Sequence, residues 1–285
     1  MLEDVTYCKE NCINMFSDAS DFQLAGAQIE DGEVSWDTRF KVALTEEERS
    51  ASSTFRELRG IEEGLKSQGE SLRGMTVRWG CDNWAAGKIC KWGSMKSDCH
   101  EVAVKIEEIC QEYQIRLETF WLSRDSKEIE LCDQWSKEVD TADYWITMEE
   151  FNRIEERYGP FSADYFASDR SWRKKPFFAK FGVSESRGLD AFSVGWQNGV
   201  GYFHPPVGLV WKVVRKAERE KAEGVLIVPD WPGSGLLAVL ESRVKEGKIV
   251  LMEKCRPRLI CPREIESDTF RGMTKFKMCV YRFTF

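Results

Sequence analysis

The sequence has little of what a zinc site, a disulfide framework or a membrane anchor needs. Its ten cysteines form no Cys-x-x-Cys pair and it has only two histidines, so a zinc site is not expected. The adjacent pair Cys99-His100 is expected at the exposed start of a helix. No apolar run can span a bilayer, and there is no signal-peptide pattern, internal repeat or low-complexity linker. These absences predict a globular protein of the cytosol or nucleus, with reduced and mostly buried cysteines.

The 285 residues are enough for two hydrophobic cores, and the two halves differ in charge. Residues 1–146 carry 17 Lys and Arg against 30 Asp and Glu, a net charge of −13, whereas residues 147–285 carry 24 against 18, a net charge of +6. A nucleic acid is therefore expected to contact the second half. The predicted surface combines Trp172, Phe177 and Phe178 with nearby cations. The cations are Arg170, Arg173, Lys174, Lys175, Lys180 and Arg187. An ordinary basic face over an aromatic core is the alternative.

The first half reads as three strands followed by alternating helices and strands. Strands are predicted at 13–19, 23–30, 33–40, 75–81 and 115–122. Ser52 or Ser53 is expected to cap a helix, and a second helix is expected over 98–113. A last short helical stretch contains Asp133.

Four acids each close or open a different predicted element of this half. Asp18 is near the end of the first strand, Glu57 near the start of the first helix, and Asp82 directly after the strand 75–81. Asp133 is on the last helical stretch. Carboxylates brought to one point repel each other unless a divalent cation lies between them. The pattern therefore predicts a metal site made of Asp18, Glu57, Asp82 and Asp133.

Each acid also has an ordinary explanation. Asp21 competes with Asp18, but residues 18 and 21 of one strand point to opposite faces, which favours Asp18. Glu57 could be an ordinary solvated helix residue. Solvation is what we expect for its neighbours Glu62 and Glu63. Asp82 could simply cap its helix, a role that is compatible with metal binding. Two further acids compete with the fourth candidate; they are Glu128 and Glu130.

The order of these elements and acids resembles the ribonuclease H fold, a mixed five-stranded sheet with helices and an Asp-Glu-Asp-Asp centre. The stretches SDASDF, SSTFRELRGI, CDNWAAG and IELCDQWSKEVDTADYW are similar to the ribonuclease H region of retrotransposon reverse transcriptases. The last stretch departs from that pattern at Cys132 and Lys137, and the histidine that often precedes the fourth acid is missing.

The resemblance implies hydrolysis of the RNA strand of RNA–DNA hybrids. Two Mg²⁺ (or Mn²⁺) ions about 4 Å apart would activate a water and stabilise the leaving oxygen. Asp18 would bridge both ions, Glu57 and Asp82 would hold the ion nearer the leaving group, and Asp133 would hold the other. Hybrid specificity would come from 2′-hydroxyl contacts.

A second domain is predicted over 147–285, after a first domain over 1–146, with the boundary near 140–147. Thr147 and Glu150 form a capping box for a helix that ends at Gly159-Pro160. After it, strands and helices alternate, as in a doubly wound α/β domain. Strands are predicted at 161–167, 200–204, 224–228, 249–253 and 276–285, and helices at 206–221 and 235–245.

This half resembles the phage-type DNA N6-adenine methyltransferase domain, which is Rossmann-like. The matching stretches are GPFSADYFAS, GLDAFSVGW, GYFHPPVGLVWKVV and GVLIVPDWP. The resemblance implies that Asp164 helps bind S-adenosylmethionine and that His204, Pro205 and Pro206 stand where an Asn/Asp-Pro-Pro-Tyr/Phe motif holds a flipped adenine. Val207 replaces the aromatic residue, so methyl transfer is not expected. The proline pair could simply start a helix.

Together the two halves resemble the segment downstream of the polymerase in a tyrosine-recombinase (DIRS-type) retrotransposon polyprotein, or a host gene derived from one. The expected partners are an RNA–DNA hybrid or another nucleic acid, and an upstream reverse transcriptase domain. Two other functions remain open. The chain could be an active adenine methyltransferase with a scaffolding first domain, or a nucleic-acid-binding or protein-binding module in which both sites are silent.

Overall fold

The computed structural model describes residues 12–139, 143–231, 235–262, 272–273 and 275–285. The described chain divides into two compact units. Unit 1 contains residues 12–138 and Phe181–Glu185, and unit 2 contains the rest. Residues 140–142, in the predicted boundary region, lie outside the described residues. Among the helices that are described, none has the length and apolar character needed to cross a membrane.

Unit 1 contains one mixed six-stranded sheet with helices, which confirms the predicted mixed α/β class. Its strands are β1 (Cys12–Ala19), β2 (Gln23–Glu30), β3 (Glu33–Val34), β4 (Phe40–Ala43), β5 (Thr76–Cys81) and β6 (Arg116–Trp121). Its helices are α1 (Glu46–Ser50), α2 (Ser53–Gln68), α3 (Trp84–Trp92), α4 (Ser97–Tyr113) and α5 (Lys127–Lys137). The order is β3-β2-β1-β5-β6, with β4 also paired to β2. β1, β5 and β6 are parallel, and β2 runs antiparallel to β1.

The residues of β1 alternate between two buried layers. Met15 packs in a core cluster with Leu58 and Ile61 of α2, whereas Phe16 packs on the other face with Cys132 and its neighbours on α5. A strand covered on both faces buries residues of both registers, as Met15 and Phe16 show. Helices α2 and α5 therefore lie on opposite faces of the central strand.

The third strand predicted over 33–40 is interrupted, which is a correction to the sequence reading. A 3₁₀ turn at Trp36–Thr38 separates β3 from β4. The Thr38 hydroxyl causes the break, because it donates to the carbonyl of Ser35 (2.7 Å) and accepts from the amide of Gln28 (2.9 Å). A side chain thus replaces the strand-to-strand hydrogen bond at this point.

Glu62 and Glu63 are buried, not solvated as predicted. Arg59 forms an ion pair with Glu62 on the same helix. The Glu63 carboxylate accepts the amide N–H of Ser184 at 2.9 Å, from 121 residues further along the chain. That partner belongs to Phe181–Glu185, whose Gly182 forms a parallel β-bridge with the start of β4. No local pattern in the sequence could reveal this distant partner.

The nine described cysteines are free, and most of them are buried, as the composition predicts. Cys99 corrects the expectation of an exposed Cys-His pair: it is buried in the core with Val102 and Ile106, and only His100 is exposed. The reason is helical spacing. Cys99 lies three residues before Val102 and so shares its inward face of α4.

Unit 2 contains a seven-stranded sheet and a small three-stranded sheet. Its strands are β7 (Trp145–Ile146), β8 (Ala163–Ala167), β9 (Phe177–Ala179), β10 (Gly188–Leu189), β11 (Val200–Phe203), β12 (Glu223–Pro229), β13 (Ile249–Cys255), β14 (Arg258–Ile260), β15 (Gly272–Met273) and β16 (Met278–Thr284). Its helices are α6 (Met148–Tyr158), α7 (Val210–Glu220) and α8 (Gly235–Lys245). The large sheet has the order β10-β9-β8-β11-β12-β16-β13. β8 to β12 are parallel, and β16 runs antiparallel to its neighbours.

Strand β12 shows that helices cover both faces of this sheet. Val225 and Ile227 pack in one cluster with Phe151 of α6, whereas Leu226 packs in another cluster with Val213 of α7. From β8 the chain builds β9 and β10 on one side, and after β10 it returns to form β11 on the other side of β8. The strand order therefore reverses between the neighbouring strands β8 and β11. In open parallel sheets, ligands bind at such a switch point, outside the carboxyl ends of the strands.

Candidate metal centre

Asp18 lies near the carboxyl end of the central strand β1, and its side chain is buried. Strands β1 and β5 are parallel, and Phe16 pairs with Gly80. Extending this register by two residues brings Asp82 beside Asp18. The sequence placed these acids at two strand ends, and the parallel pairing is what brings the two ends to the same edge of the sheet.

Glu57 reaches the same point from helix α2. Ser52 caps this helix by accepting the amide of Phe55, so Glu57 lies in its second turn. The Glu57 side chain is buried, and its Oε1 accepts the backbone amide of Ala19 at 3.3 Å. Its other oxygen, Oε2, is buried without a hydrogen-bond partner among the described residues. A buried carboxylate oxygen with no donor is costly unless a ligand satisfies it.

Asp82 does not cap helix α3, which was one alternative for this residue. The next residue, Asn83, is the cap and accepts the amide of Ala86 at 3.1 Å. The carbonyl of Asp82 accepts the indole N–H of Trp121 at 2.9 Å. Its carboxylate is thus free from capping, and Arg124 forms an ion pair with it (Nε–Oδ2, 3.0 Å).

Asp18, Glu57 and Asp82 each offer a carboxylate oxygen, and these oxygens lie within 4.8 Å of one another. Burial raises the pKa of Glu57 well above its ordinary value, and the carboxylates of Asp18 and Asp82 add to the rise. Burial also raises the pKa of Asp18. Three oxygens at this separation, in a partly desolvated site, form a donor set that suits a divalent cation with oxygen ligands.

Asp133 lies outside this group of three. It is half-buried on α5 and forms an ion pair with Lys137 one turn later (2.6 Å). It is still close enough for its charge to raise the pKa of Asp18. Sequence reasoning missed Ser136, whose hydroxyl donates to Asp18 Oδ2 at 2.8 Å. Its position three residues after Asp133, one helical turn further, is the signal that could have revealed it.

In unit 2, the structure brings Asp164 to the switch point of the large sheet. Asp164 on β8 pairs in register with Tyr202 on β11. Its Oδ2 accepts the amide of Arg173 (3.0 Å) and its Oδ1 the amide of Phe166 (3.3 Å). The side chain is 1% exposed, and burial raises its pKa to about 7. Both oxygens are therefore used by backbone amides of the protein, one from β8 itself and one from the loop that follows it.

His204 follows β11 on the same face as Tyr202. It is buried, Tyr144 contacts its ring edge-to-face, and its Nε2 has no hydrogen-bond partner among the described residues. Burial lowers the pKa of His204 to about 4, so the ring is neutral near pH 7. Pro205 and Pro206 lead into a 3₁₀ turn and then α7, which agrees with the helix-starting role considered for them.

The basic stretch predicted to bind nucleic acid is largely folded onto unit 2. Phe177 and Phe178 are buried in strand β9, so their faces are not available to stack on bases. The Arg173 guanidinium donates to carbonyls of its own loop, and Lys174 pairs with Glu155 at 2.7 Å. Arg170 and Lys180 also have interaction partners, and Lys175 lies over the ring of Trp172.

Comparison with solved structures finds ribonuclease H1 domains along the first part of the chain. The chain is 13% identical to ribonuclease H1 of the archaeon Halobacterium salinarum NRC-1, over 44% of this chain and 93% of that one, with a TM-score of 0.36. It is 12% identical to an N-terminal ribonuclease H domain from Mycobacterium tuberculosis, solved as a fusion with maltose-binding protein, over 44% and 98%, with a TM-score of 0.34. It is 16% identical to LC11 ribonuclease H1, solved with an RNA/DNA hybrid, over 43% and 92%, with a TM-score of 0.35. No family model matches the sequence. No curated protein matches it either.

Proposed function

We propose that unit 1 is a metal-dependent nuclease of the ribonuclease H type. The observation that carries this proposal is the convergence of Asp18, Glu57 and Asp82 from three elements onto one point, with ligand oxygens within 4.8 Å of one another. A protein gains no stability from gathering like charges in a buried place. The arrangement makes physical sense when a cation completes it.

Magnesium fits the residues present. All three side chains offer oxygen, and Glu57 Oε2 is a buried acceptor that lacks a donor among the described residues. Asp18, Glu57 and Asp82 would hold one ion, and Asp133 would join Asp18 for a second. Bound magnesium supplies Lewis-acid stabilisation of charge on phosphate oxygens and lowers the pKa of water. The Ser136 hydroxyl orients Asp18, and the Ala19 amide orients Glu57.

The surface around Asp82 supports a nucleic acid as the substrate. Trp84 and Trp121 are both more than half exposed. Trp84 is two residues after Asp82 in the chain, and the indole N–H of Trp121 donates to the carbonyl of Asp82. The ammonium group of Lys88 lies 5.1 Å from the ring centre of Trp84. Exposed indole faces next to cations suit bases and phosphates together. This surface suits base stacking better than the stretch around Phe177 and Phe178, which are buried.

An RNA–DNA hybrid is the substrate we infer, with the RNA strand being cut. The LC11 enzyme was solved with such a hybrid. The motifs around the four acids resemble the ribonuclease H region of retrotransposon reverse transcriptases, and the two halves in this order resemble a DIRS-type polyprotein. In this reading the chain acts beside a reverse transcriptase domain, as part of a polyprotein or of a gene derived from one. The inferred hybrid specificity comes from 2′-hydroxyl contacts in the shallow minor groove.

Unit 2 is, in the same proposal, a methyltransferase-like domain without methyltransferase activity. Its parallel sheet, with a switch point between β8 and β11, supports the Rossmann-like interpretation. However, the two carboxylate oxygens of Asp164 are taken by two backbone amides, His204 is buried, and Val207 has no ring to stack on a base. These residues do not fit S-adenosylmethionine and a flipped adenine.

A cleavage assay on a labelled RNA–DNA hybrid with Mg²⁺ tests the nuclease. The parent should cut the RNA strand, and Asp18→Asn and Asp82→Asn should each cut at least about 100-fold more slowly, since a bound metal contributes several kcal/mol to the transition state. Equal cutting by all three proteins would assign the activity to a contaminant. Calorimetry with S-adenosylmethionine tests unit 2: a binding signal followed by methyl transfer to DNA would favour the methyltransferase instead. If hybrid cutting and methyl transfer are both absent, the silent binding module is favoured.

A further inference from the structure

Arg124 is a cation beside the three-carboxylate group that the proposed mechanism does not use. It lies in the loop between β6 and α5, and its Nε contacts Asp82 Oδ2 at 3.0 Å. Its charge also acts on Asp18 and Asp133. The loop is anchored just before Arg124, because the Leu122 amide bonds to the carbonyl of Cys81, and the Ser126 amide closes a turn around Arg124 by bonding to the carbonyl of Ser123.

The Arg124 side chain is 76% exposed, whereas that of Asp82 is 14% exposed. Arginine has five N–H donors, and the ion pair with Asp82 is made through Nε. With so much of the side chain accessible, the terminal nitrogens can meet an anion that arrives from solvent. Exposed ion pairs of this kind favour the paired state by no more than about fivefold.

A divalent cation and the guanidinium compete for Asp82. An ion held by the three carboxylates would repel a positive charge a few ångströms away, and Arg124 contacts one of those carboxylates. Because the exposed pair is weak, a divalent ion would displace it. The released guanidinium remains tethered by its anchored loop beside the place where a phosphodiester must lie, and its planar donors suit phosphate.

We propose that Arg124 is an exchangeable positioning residue, which pairs with Asp82 in the metal-free protein and with a substrate phosphate once metal ions bind. This inference rests on the proposed nuclease function. It makes Arg124 a competitor for the metal site and a contributor to hybrid affinity. The two roles predict opposite effects of removing the same side chain.

Manganese binding to the whole chain, measured by titration calorimetry, tests the first role without any cleavage. Arg124→Ala should bind Mn²⁺ about two- to fivefold more tightly than the parent, since the competing pair is lost. Arg73→Ala is the matched control, because Arg73 also forms an exposed ion pair, with Glu70 at 2.9 Å, and it should leave Mn²⁺ affinity unchanged. Unchanged or weaker Mn²⁺ binding by Arg124→Ala would overturn the exchange.

Hybrid binding at several salt concentrations, with Ca²⁺ replacing Mg²⁺ to keep the RNA intact, tests the second role. Arg124→Ala should lower the slope of log affinity against log salt by about one, the value for one phosphate contact. Arg124→Lys should restore the slope, because it keeps the charge. An unchanged slope in Arg124→Ala would reject the phosphate contact. If the parent does not cut hybrids at all, the nuclease proposal fails, while the Mn²⁺ titration still decides whether Arg124 competes for Asp82.

Discussion

The two units treat their buried aspartates in opposite ways. In unit 1, Asp18 receives a hydroxyl hydrogen bond from Ser136 and otherwise faces other carboxylates. In unit 2, Asp164 is equally buried but receives backbone amides on both oxygens. The pKa of each is raised by burial. Both aspartates are therefore buried and both have a raised pKa, so neither property separates a ligand site from a structural carboxylate. What separates them is that the group of three in unit 1 includes a buried carboxylate oxygen, Glu57 Oε2, without a hydrogen-bond donor among the described residues.

The comparison also separates two kinds of support. The acids of unit 1 are brought together by close packing between elements, since Glu57 is on a helix, Asp18 is on β1 and Asp82 directly follows the neighbouring strand β5. Asp164 is held by amides close to it in sequence, that of Phe166 on the same strand and that of Arg173 in the loop after β8. Packing between distant elements depends on small residues at the contact, whereas a local loop depends on its own hydrogen bonds. Each kind of support has its own vulnerable residue.

Gly64 is the vulnerable residue of unit 1, and its substitution should have the largest effect. A Cβ built at Gly64 would lie 2.4 Å from the buried ring of Trp79 on β5. Gly64→Ala should therefore push α2 from the sheet, cost about 3 kcal/mol of unfolding free energy, and weaken Mn²⁺ binding by moving Glu57. Denaturant unfolding and Mn²⁺ titration measure both.

Gly60, one turn earlier on α2, is the matched control. Its Cβ would meet Ser17 at 3.4 Å, an ordinary contact. Gly60→Ala should be neutral or stabilise the helix by up to about 1 kcal/mol. Equal stabilities of the two alanine variants would refute the close approach of α2 to β5.

Divalent ions should stabilise unit 1 and not unit 2. At 100 times its dissociation constant, Mg²⁺ should add about 2.7 kcal/mol to the unfolding free energy of unit 1. Glu57→Gln should lose most of this gain. Without metal, however, the same variant should be more stable than the parent at neutral pH. The pKa of Glu57 is raised in the folded state, so its contribution is present at low pH and is lost as pH rises through the folded pKa.

Hydrogen exchange with and without Mg²⁺ measures amide protection in peptides from each unit, so the two units are followed separately. Glu62→Gln is the control, because Glu62 is buried on the same helix but pairs with Arg59 outside the group of three. It should keep the stabilisation by Mg²⁺. Protection of β8 and β11 by Mg²⁺ equal to that of β1 and β5 would contradict the distinction between the units.

Asp164→Asn should damage unit 2 alone. Asparagine keeps one acceptor oxygen, so one of the two backbone amides that bond to Asp164 would face an NH₂ group, at a cost of roughly 1–3 kcal/mol. Hybrid cleavage should stay within about twofold of the parent. Asp190→Asn is the control, since exposed Asp190 accepts one amide, that of Phe192, and surface changes cost less than about 0.5 kcal/mol. A strong loss of cleavage in Asp164→Asn would show that this carboxylate is not merely structural.

Much of this architecture could be predicted from the sequence because it rests on local patterns. Strand ends at Asp18 and Asp82, and the cap at Ser52, are written in short stretches of sequence. What could not be predicted depends on distant partners. Glu63 is buried with the amide of Ser184 as its partner, and one oxygen of Asp164 is satisfied by the amide of Arg173. Backbone amides are present almost everywhere, so no sequence pattern marks these two. Arg124 was missed for a similar reason, since it is recognisable only from the carboxylate that it contacts. Ser136 differs, because its position one helical turn after Asp133 was a local signal.

The smallest predicted effect concerns pH, and it uses two groups of unit 2 whose contributions oppose each other. The folded pKa of Asp164 is raised to about 7, so Asp164 stabilises the fold below its unfolded pKa of about 4 and less as pH rises to about 7. The folded pKa of His204 is lowered to about 4, so stability rises with pH from about 4 to 6.5. In the parent, the two slopes nearly cancel.

Removing one group at a time should expose the other. His204→Gln should make unit 2 less stable as pH rises from 4.5 to 6.5, by about 1 kcal/mol per pH unit, and Asp164→Asn should make it more stable by a similar amount. Apart from Asp164 and His204, the two variants have the same titrating groups. The difference between their slopes of unfolding free energy against pH therefore reports on Asp164 and His204 alone. Denaturant unfolding at three pH values, followed by hydrogen exchange in β8 and β11, measures it. Identical slopes in the two variants would mean that the switch point of unit 2 is open to water, and that its contrast with the carboxylates of unit 1 lies elsewhere than in burial and hydrogen bonding.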